Sequence, residues 1–455
     1  MTAGERSHCD VLIRGGMVVT PDTVAPADVA IRGETVVAVG RDLRWSADDE
    51  IDAAGMHLFP GVVDAHVHFN DPGRADWEGW PTGSAALAAG GGTVAVDMPL
   101  NSDPPLLDGA AFDAKAATTE AGSIVDFALW GGLTPDNLDR LGELAARGVV
   151  GFKAFMSNSG IPEFRAADEA TLRRGMEIAT RFGLPVAVHA EDDALCTDLA
   201  ARAIASGRRT WRDWAATRPV EAETRAIRRA IALAAETGCA LHVVHVSSGE
   251  GVALVAAARA RGVDVTCETC PHYLGLTADD LEALGAVAKC APPLRSQSDV
   301  EALWSALAAG EIQTVGSDHS PAPPDLKTGD DAFATWGGIA GCQTTLPLLL
   351  TEGARRSLPL PALARLLAAA PARRLRLPRK GRIAPGYDAD IALVDVSAEW
   401  TLEADDLRYR HRISPWVGRT FRGRVVRTLR RGATIVGQEW DAPVAGGRLV
   451  RPERT

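Results

Sequence analysis

The chain of 455 residues lacks several features that would class a protein quickly, and each absence closes a possibility. No stretch approaches the ~20 apolar residues of a membrane-spanning helix. The opening residues, MTAGERSHCDVLIRGG, hold no apolar core of signal-peptide length. A reducing cytoplasm is therefore the expected compartment, with no membrane partner. Cysteine is sparse: seven residues, scattered and odd in number, fit no secreted disulfide framework. Cys267 and Cys270 form a C-x-x-C pair, but no second pair completes a zinc site, so they read as buried thiols. Positive charge is also short. The net charge is -11, and an acidic chain repels phosphate backbones, so no nucleic-acid partner is expected. No G-x-G-x-x-G or G-x-x-x-x-G-K-S loop follows a strand-like run, which removes the usual nucleotide folds. Nor is there a G-x-S-x-G turn or a cysteine–histidine constellation to supply a covalent nucleophile.

What is present is ordinary globular material. Hydrophobic residues make up 46% and charged residues 24%, enough for a large core. The length suits two to three domains, or one large barrel with an attached piece. The two ends share a texture. Asp10–Thr20, Asp28–Gly40, Asp388–Val396 and Val425–Val436 are Val- and Ile-rich runs broken by glycine turns, which is hairpin chemistry. They are expected to combine into one small β-sandwich domain, residues 1–58 with 381–455, since chain ends commonly lie close together.

Residues 59–380 alternate instead. Apolar strand-like runs stand at Gly61–His66, Thr93–Met98, Val125–Trp130, Val149–Phe155, Pro185–Glu191, Ala240–Ser247, Asp264–Cys270 and Ile312–Ser317. Ala-, Leu-, Glu- and Arg-rich stretches of helical period separate them. Thr134-Pro135-Asp136 reads as a helix start closed by Gly148, and Pro219–Gly238 as a longer helix. Eight strands alternating with helices predict an α/β fold, a (β/α)8 TIM-type barrel. A doubly wound open sheet is the alternative, because strand count does not prove closure.

Reactive groups of such a barrel belong at the C-terminal strand ends. The first run ends in Asp64-Ala65-His66-Val67-His68. Histidines two apart on a strand point to the same side and can chelate one divalent ion; the competing reading is two solvent-facing histidines. The fourth run holds Lys153 among apolar residues, costly to bury unless paired or chemically altered. The fifth ends in Val188-His189-Ala190-Glu191, the sixth carries His242 and His245, and the eighth ends in Gly316-Ser317-Asp318-His319-Ser320. With ten histidines in all, four at strand ends beside a lysine and an aspartate form a cluster. His242 and His245, three apart, face opposite sides of an extended strand; His245 lies nearer its C-terminal end and is chosen for the site, and His242 reads as a packed core histidine. His319 reads as a partner behind the site, His272, which follows the seventh run, as a structural loop residue or a residue that reaches the site, and His8, His57 and His411 as peripheral. Six groups exceed one tetrahedral zinc and suit two divalent ions sharing a bridge, which turn a bridging water into hydroxide near neutral pH and polarise a carbonyl. Asp318 would bind one ion and pass the proton of that water to a leaving nitrogen. Zinc is the first candidate, with cobalt, nickel, manganese or iron as alternatives. Asn101, in Asp97–Asn101 at the end of the second run, reads as a substrate wall or a loop anchor.

These motifs resemble the amidohydrolase superfamily in its cyclic-amidase branch, whose barrel opens on a His-x-His strand, here within Pro60–His68. The resemblance implies that Lys153 is carboxylated (N6-carboxylysine) and bridges two metals, a change that turns a buried cation into a bidentate anion. It also implies that His189, His245 and Asp318 complete the site with His66 and His68. Lys380–Asp390 resembles the return into the family's small β domain. Within the branch, Asp71–Arg74, Trp77–Gly79, Asp97–Ser102, Ala288–Arg295, Trp336–Gly341 and Tyr409–Thr420 resemble the allantoinase family. That implies ring opening of a small molecule, allantoin, to allantoate in a homotetramer. It also implies that peptide groups near Ala291 and at Gly338 and Gly341 hold the cyclic amide. Two departures from neighbouring families agree. Asn158 stands where hydantoinases and dihydropyrimidinases carry a tyrosine, and Asn70 where dihydroorotases carry an arginine for a substrate carboxylate. A hydantoinase-type or dihydropyrimidinase-type amidase is the nearer alternative; a non-catalytic scaffold homologue, which should have lost ligands, is the further one.

Overall fold

The computed structural model describes residues 7–437 and 445–454; the parts of the expected end domain at 1–6, 438–444 and 455 lie outside the described residues. Each of the eight expected runs overlaps a strand: β1 (Val62–Val67), β2 (Gly92–Asp97), β3 (Asp126–Leu129), β4 (Phe152–Phe155), β5 (Val186–His189), β6 (Leu241–Val243), β7 (Val265–Thr269) and β8 (Thr314–Val315). β1, β2 and β3 are buried along their whole length. Helices cover one face and barrel side chains fill the other, so these strands lose the polar alternation of half-exposed ones. Neighbours pair in parallel, β1 to β3 in one ladder and β4 to β8 in another. Backbone bonds join the ladders on both sides. Val150 N–H donates to Leu129 O at 3.0 Å between β3 and β4, and His68 N–H donates to His319 O at 2.8 Å between β8 and β1. The ring is closed, a TIM-type barrel, and the open-sheet alternative falls.

The helix expected from Thr134 starts later. The N–H and hydroxyl of Thr134 both donate to Asn137 Oδ1, at 2.9 and 3.2 Å, but the turn they close is not carried on as helix. The helix runs Leu141–Arg147, and Gly148 closes it at φ 94°. Val220–Thr237 is helical as expected, ended by Gly238.

Both chain ends build one further sheet. His8–Val19, Val24–Arg32, Thr35–Gly40, Ser46–Asp52 and His57–Pro60 are joined by Ile391–Thr401, Thr420–Arg430 and Ala433–Val436. The seam is the antiparallel pairing of Ile391–Val394 with His57–Pro60. Ile13, Val29, Ile31, Leu58, Ile391 and Leu429 lie in its own apolar core. Ser46–Asp52 (SADDEID) went unnoticed in the sequence because it is polar; among the described residues it pairs only with His8–Val19. This sheet meets the N-terminal mouth of the barrel through a buried ionic cluster. Lys380 Nζ lies 2.6, 2.9 and 2.8 Å from carboxylate oxygens of Asp126, Asp388 and Asp390, and Arg431 pairs with Asp126. Among the described residues no helix is long and apolar enough to cross a membrane. All seven cysteines are free and buried.

Candidate metal centre

The C-terminal mouth of the barrel opens on a cavity of about 450 Å³, within the roughly 300–1,000 Å³ of small-molecule sites. His66, His68, Lys153, His189, His245 and Asp318 all line it. His66 occupies β1 and His68 lies one residue past it. Nε2 of each stands 3.3 Å from Asp318 Oδ1. Their other nitrogens are held from behind: His66 Nδ1 meets Glu268 Oε1 at 2.7 Å, and His68 Nδ1 meets Leu100 O at 2.9 Å. A carbonyl only accepts, so Nδ1 of His68 carries the proton and Nε2 offers its lone pair to the cavity. His189 Nε2 is held by Glu191 Oε2 at 2.7 Å, which leaves Nδ1 free to stand 3.0 Å from His245 Nε2. Two imidazole nitrogens at that separation share one proton or turn both lone pairs to a cation.

Lys153, in β4, is fully buried, and its Nζ has no hydrogen-bond partner. An unpaired buried ammonium is a costly arrangement. Burial pushes its pKa down to about 8 against the upward pull of Asp318 and Glu268, so the neutral amine is accessible. His245 Nδ1 is likewise buried without a partner. Burial lowers the pKa of His66, His189 and His245, which favours the neutral imidazole that ligates metal. Burial would raise Asp318, but His66, His68 and His245 outweigh it and hold the carboxyl well below its usual range. Four imidazoles, an ionised carboxylate and a lysine nitrogen with nothing to bond to form a donor set that fits divalent metal.

Two of the six sit on strained backbone, His245 at φ 39° and Asp318 at φ 45°, a region that costs about 1 kcal/mol or more. The chain has therefore left extended geometry at His245, and straight-strand alternation is not what separates it from His242. His242 stays in β6, bonded to Thr266 Oγ1 at 2.8 Å and stacked on Trp130.

Asn101, Ala291 and Gly338 line the cavity. Gly341 is not among the lining residues; its N–H goes to His319 Nδ1 at 3.2 Å, and His319 Nε2 faces Glu78 Oε2 at 3.3 Å. Within Asp97–Asn101 the two readings divide between residues. Asp97 is an anchor, 2.5 Å from Lys115 Nζ and accepting the N–H of Phe69, whereas Asn101 is on the wall. Asn158 lines the cavity too, while Asn70 is buried and bonds Pro321 O at 3.4 Å. His272 departs from its loop reading: it is buried on the short helix Pro271–Gly275 with Nε2 unpartnered, and a ring nitrogen lies within 4.8 Å of an Asp318 oxygen, in keeping with the other reading, that it reaches the site. The carboxylates behind the histidines were missed in the sequence. Burial would raise Glu268 and Glu191, yet His66 and His242 hold the first at about 2, and Arg218 and His189 the second at about 2. A signal existed, since a glutamate inside the run Val265–Thr269 is as anomalous as Lys153.

A sequence profile of the amidohydrolase family matches residues 57–435. Allantoinase from Rubrobacter xylanophilus is 56% identical over 451 residues, spanning 98% of this chain and 99% of that one. Allantoinase from Solibacter usitatus is 52% identical, spanning 98% and 97%. Among solved structures, L-hydantoinase (dihydropyrimidinase) from Arthrobacter aurescens superposes with a TM-score of 0.95 at 34% identity, covering 97% of this chain and 100% of that one.

Proposed function

The chain belongs to the amidohydrolase family, and from that premise we propose that it hydrolyses allantoin to allantoate at a two-metal site. The observation that carries the reading is Lys153, fully buried and unpartnered beside four imidazoles and a carboxylate. A neutral amine there would add to carbon dioxide and release one proton to water, and the resulting carbamate would replace a costly cation with an anion fit to ligate divalent metal. The likeness to two allantoinases at 56% and 52% identity supports the choice of allantoin over a hydantoinase-type or dihydropyrimidinase-type substrate, whose structural counterpart is 34% identical.

His66, His68 and Asp318 would hold one divalent ion and His189 and His245 the other, with carboxylated Lys153 between them and zinc the first candidate. When bound, the pair supplies an activated water and polarises the ring carbonyl. Asp318 takes the proton of the attacking water and delivers it to the ring nitrogen as the C–N bond breaks; its depressed pKa keeps it ionised for the first step. Water thus adds across the amide, leaving a carboxylate and a free urea nitrogen. Glu268, Glu191 and Leu100 O fix the imidazole orientations. Peptide groups at Ala291 and Gly338 and the side chain of Asn101 orient the ring, and Gly341 acts through His319. The reading includes a cytoplasmic homotetramer, supported by the free, buried cysteines and by the family resemblance.

Purified, metal-replete protein should open allantoin with a turnover of order 1 s⁻¹ or more, followed as the ureido-acid product. No turnover in protein shown to hold its metals overturns the substrate, and hydantoin and dihydrouracil become the next to assay.

A further inference from the structure

Two cations line the same cavity, Arg218 and Lys289, close enough that the charge of Arg218 depresses Lys289. They differ in their commitments. Arg218 is bound to the buried Glu191, the carboxylate behind His189. Lys289 has no carboxylate within ion-pair distance among the described residues. Its Nζ lies 4.8 Å from the centroid of the Trp214 ring and donates to one backbone carbonyl, that of Thr335. Burial, with Arg218 adding, lowers its pKa to about 8, which leaves it mostly an ammonium at neutral pH. An ammonium has three N–H donors, and a buried donor without an acceptor is costly. The main chain of Lys289 does separate work. Its carbonyl accepts the N–H of Gly338 at 2.7 Å, and Lys327 Nζ holds Gly338 O at 2.6 Å. The wall at Gly338 therefore has supports that do not involve the Lys289 ammonium.

We propose that Lys289 is a specificity-determining residue, whose ammonium donates to the carbonyl oxygen of an acyclic urea or amide group carried by the cyclic substrate. The assignment rests on the allantoin reading and deepens it, because allantoin differs from bare hydantoin by one ureido group. A strongly polar, uncharged carbonyl suits a cation that already lies between Trp214 and Thr335. An alkyl or aryl substituent would leave the donors unanswered, and a site built to hydrogen-bond a substituent discriminates against analogues without it.

Lys289→Met removes the donors and keeps the apolar stem. The measurement is kcat/KM for allantoin and for unsubstituted hydantoin, the latter as a competitive inhibition constant if hydantoin is not turned over. The ratio of allantoin over hydantoin should fall by about tenfold or more, the range for a lost hydrogen bond to a charged group, in protein that keeps its metals. A lysine that merely ties down Thr335 would move both substrates together. An unchanged ratio, or loss of metal, therefore overturns the assignment. Should Lys289→Met not fold, Lys289→Leu carries the same test, since it too has no donor, with a fall of less than threefold in the ratio as the overturning result. If the unmutated enzyme does not open allantoin, the proposed function fails and this assignment with it. If it does, and the ratio holds in the variant, only the role of Lys289 fails.

Discussion

Lys153 and Lys380 are both buried, at opposite mouths of one barrel, and their surroundings are inverse. Lys380 touches three carboxylates. Burial alone would lower its pKa, but Asp390, Asp126 and Asp388 raise it above the usual lysine value. Lys153 has no hydrogen-bond or ion-pair partner among the described residues, only the face of the Phe155 ring 5.2 Å from its Nζ, and burial takes it down to about 8. One end of the barrel answers its charges from within the chain; the other leaves a charge and several lone pairs for something the chain does not supply. Buried charge by itself does not mark a site, since ion networks shift pKa values as well. The unanswered charge, in a cavity, does.

The sharpest way to break this comparison is at its functional end. Asp318→Asn should lower allantoin turnover by roughly 10²–10⁴-fold, the usual contribution of an acid–base group, in protein whose circular dichroism is unchanged. A rate close to the original in the metal-loaded variant would remove Asp318 from the chemistry. At the other end, Lys380→Met should destabilise the fold by about 3–5 kcal/mol, because it leaves carboxylates buried without their cation. Denaturant unfolding measures this, and a neutral result would mean the cluster does not fasten the sheet to the barrel. Since the folded pKa of Lys380 is raised, its contribution is whole below the ordinary value of 10.5 and is lost as pH climbs through the folded value.

Lys153 has the opposite sign. In metal-free protein, Lys153→Met should stabilise the fold while abolishing activity. A pKa lowered from 10.5 to about 8, at about 1.4 kcal/mol per pH unit, corresponds to about 3 kcal/mol. That gain should be whole below pH 8, fade between 8 and 10.5, and vanish above. A metal-free variant less stable than the parent at pH 7 would show that Lys153 is answered within the chain after all. The smallest effect is expected behind the ligands. Glu268→Gln should weaken metal affinity by about 10–100-fold, read by calorimetric titration of zinc into stripped protein. An affinity equal to the parent's would leave Glu268 as packing only.

Much of this was legible along the chain, for reasons that differ by residue. β1 to β8 all coincide with expected runs, β1 and β2 each reaching one residue beyond, because strands buried on both faces read as unbroken apolar segments. Lys153, His189 and Asp318 stood out because polar groups at the ends of such segments are anomalous. Glu268 was passed over because its meaning lies in His66, 202 residues away. The helix start at Thr134 failed although its bonds to Asn137 Oδ1 have the form of a cap, because a cap closes one turn and does not by itself carry the chain into a helix.

The sequence by itself determined the period of the elements, the match of both chain ends as β material, and the cluster of histidines, lysine and aspartate, all of which depend on neighbours within a few residues. The tertiary structure alone decided closure of the ring, made by bonds such as His68 to His319 O, and the left-handed turn that separates His245 from His242. It also decided which buried lysine was neutralised and which was left open. Those outcomes depend on groups hundreds of residues apart meeting at about 3 Å, and no local pattern encodes the burial and electrostatic field that such a meeting creates.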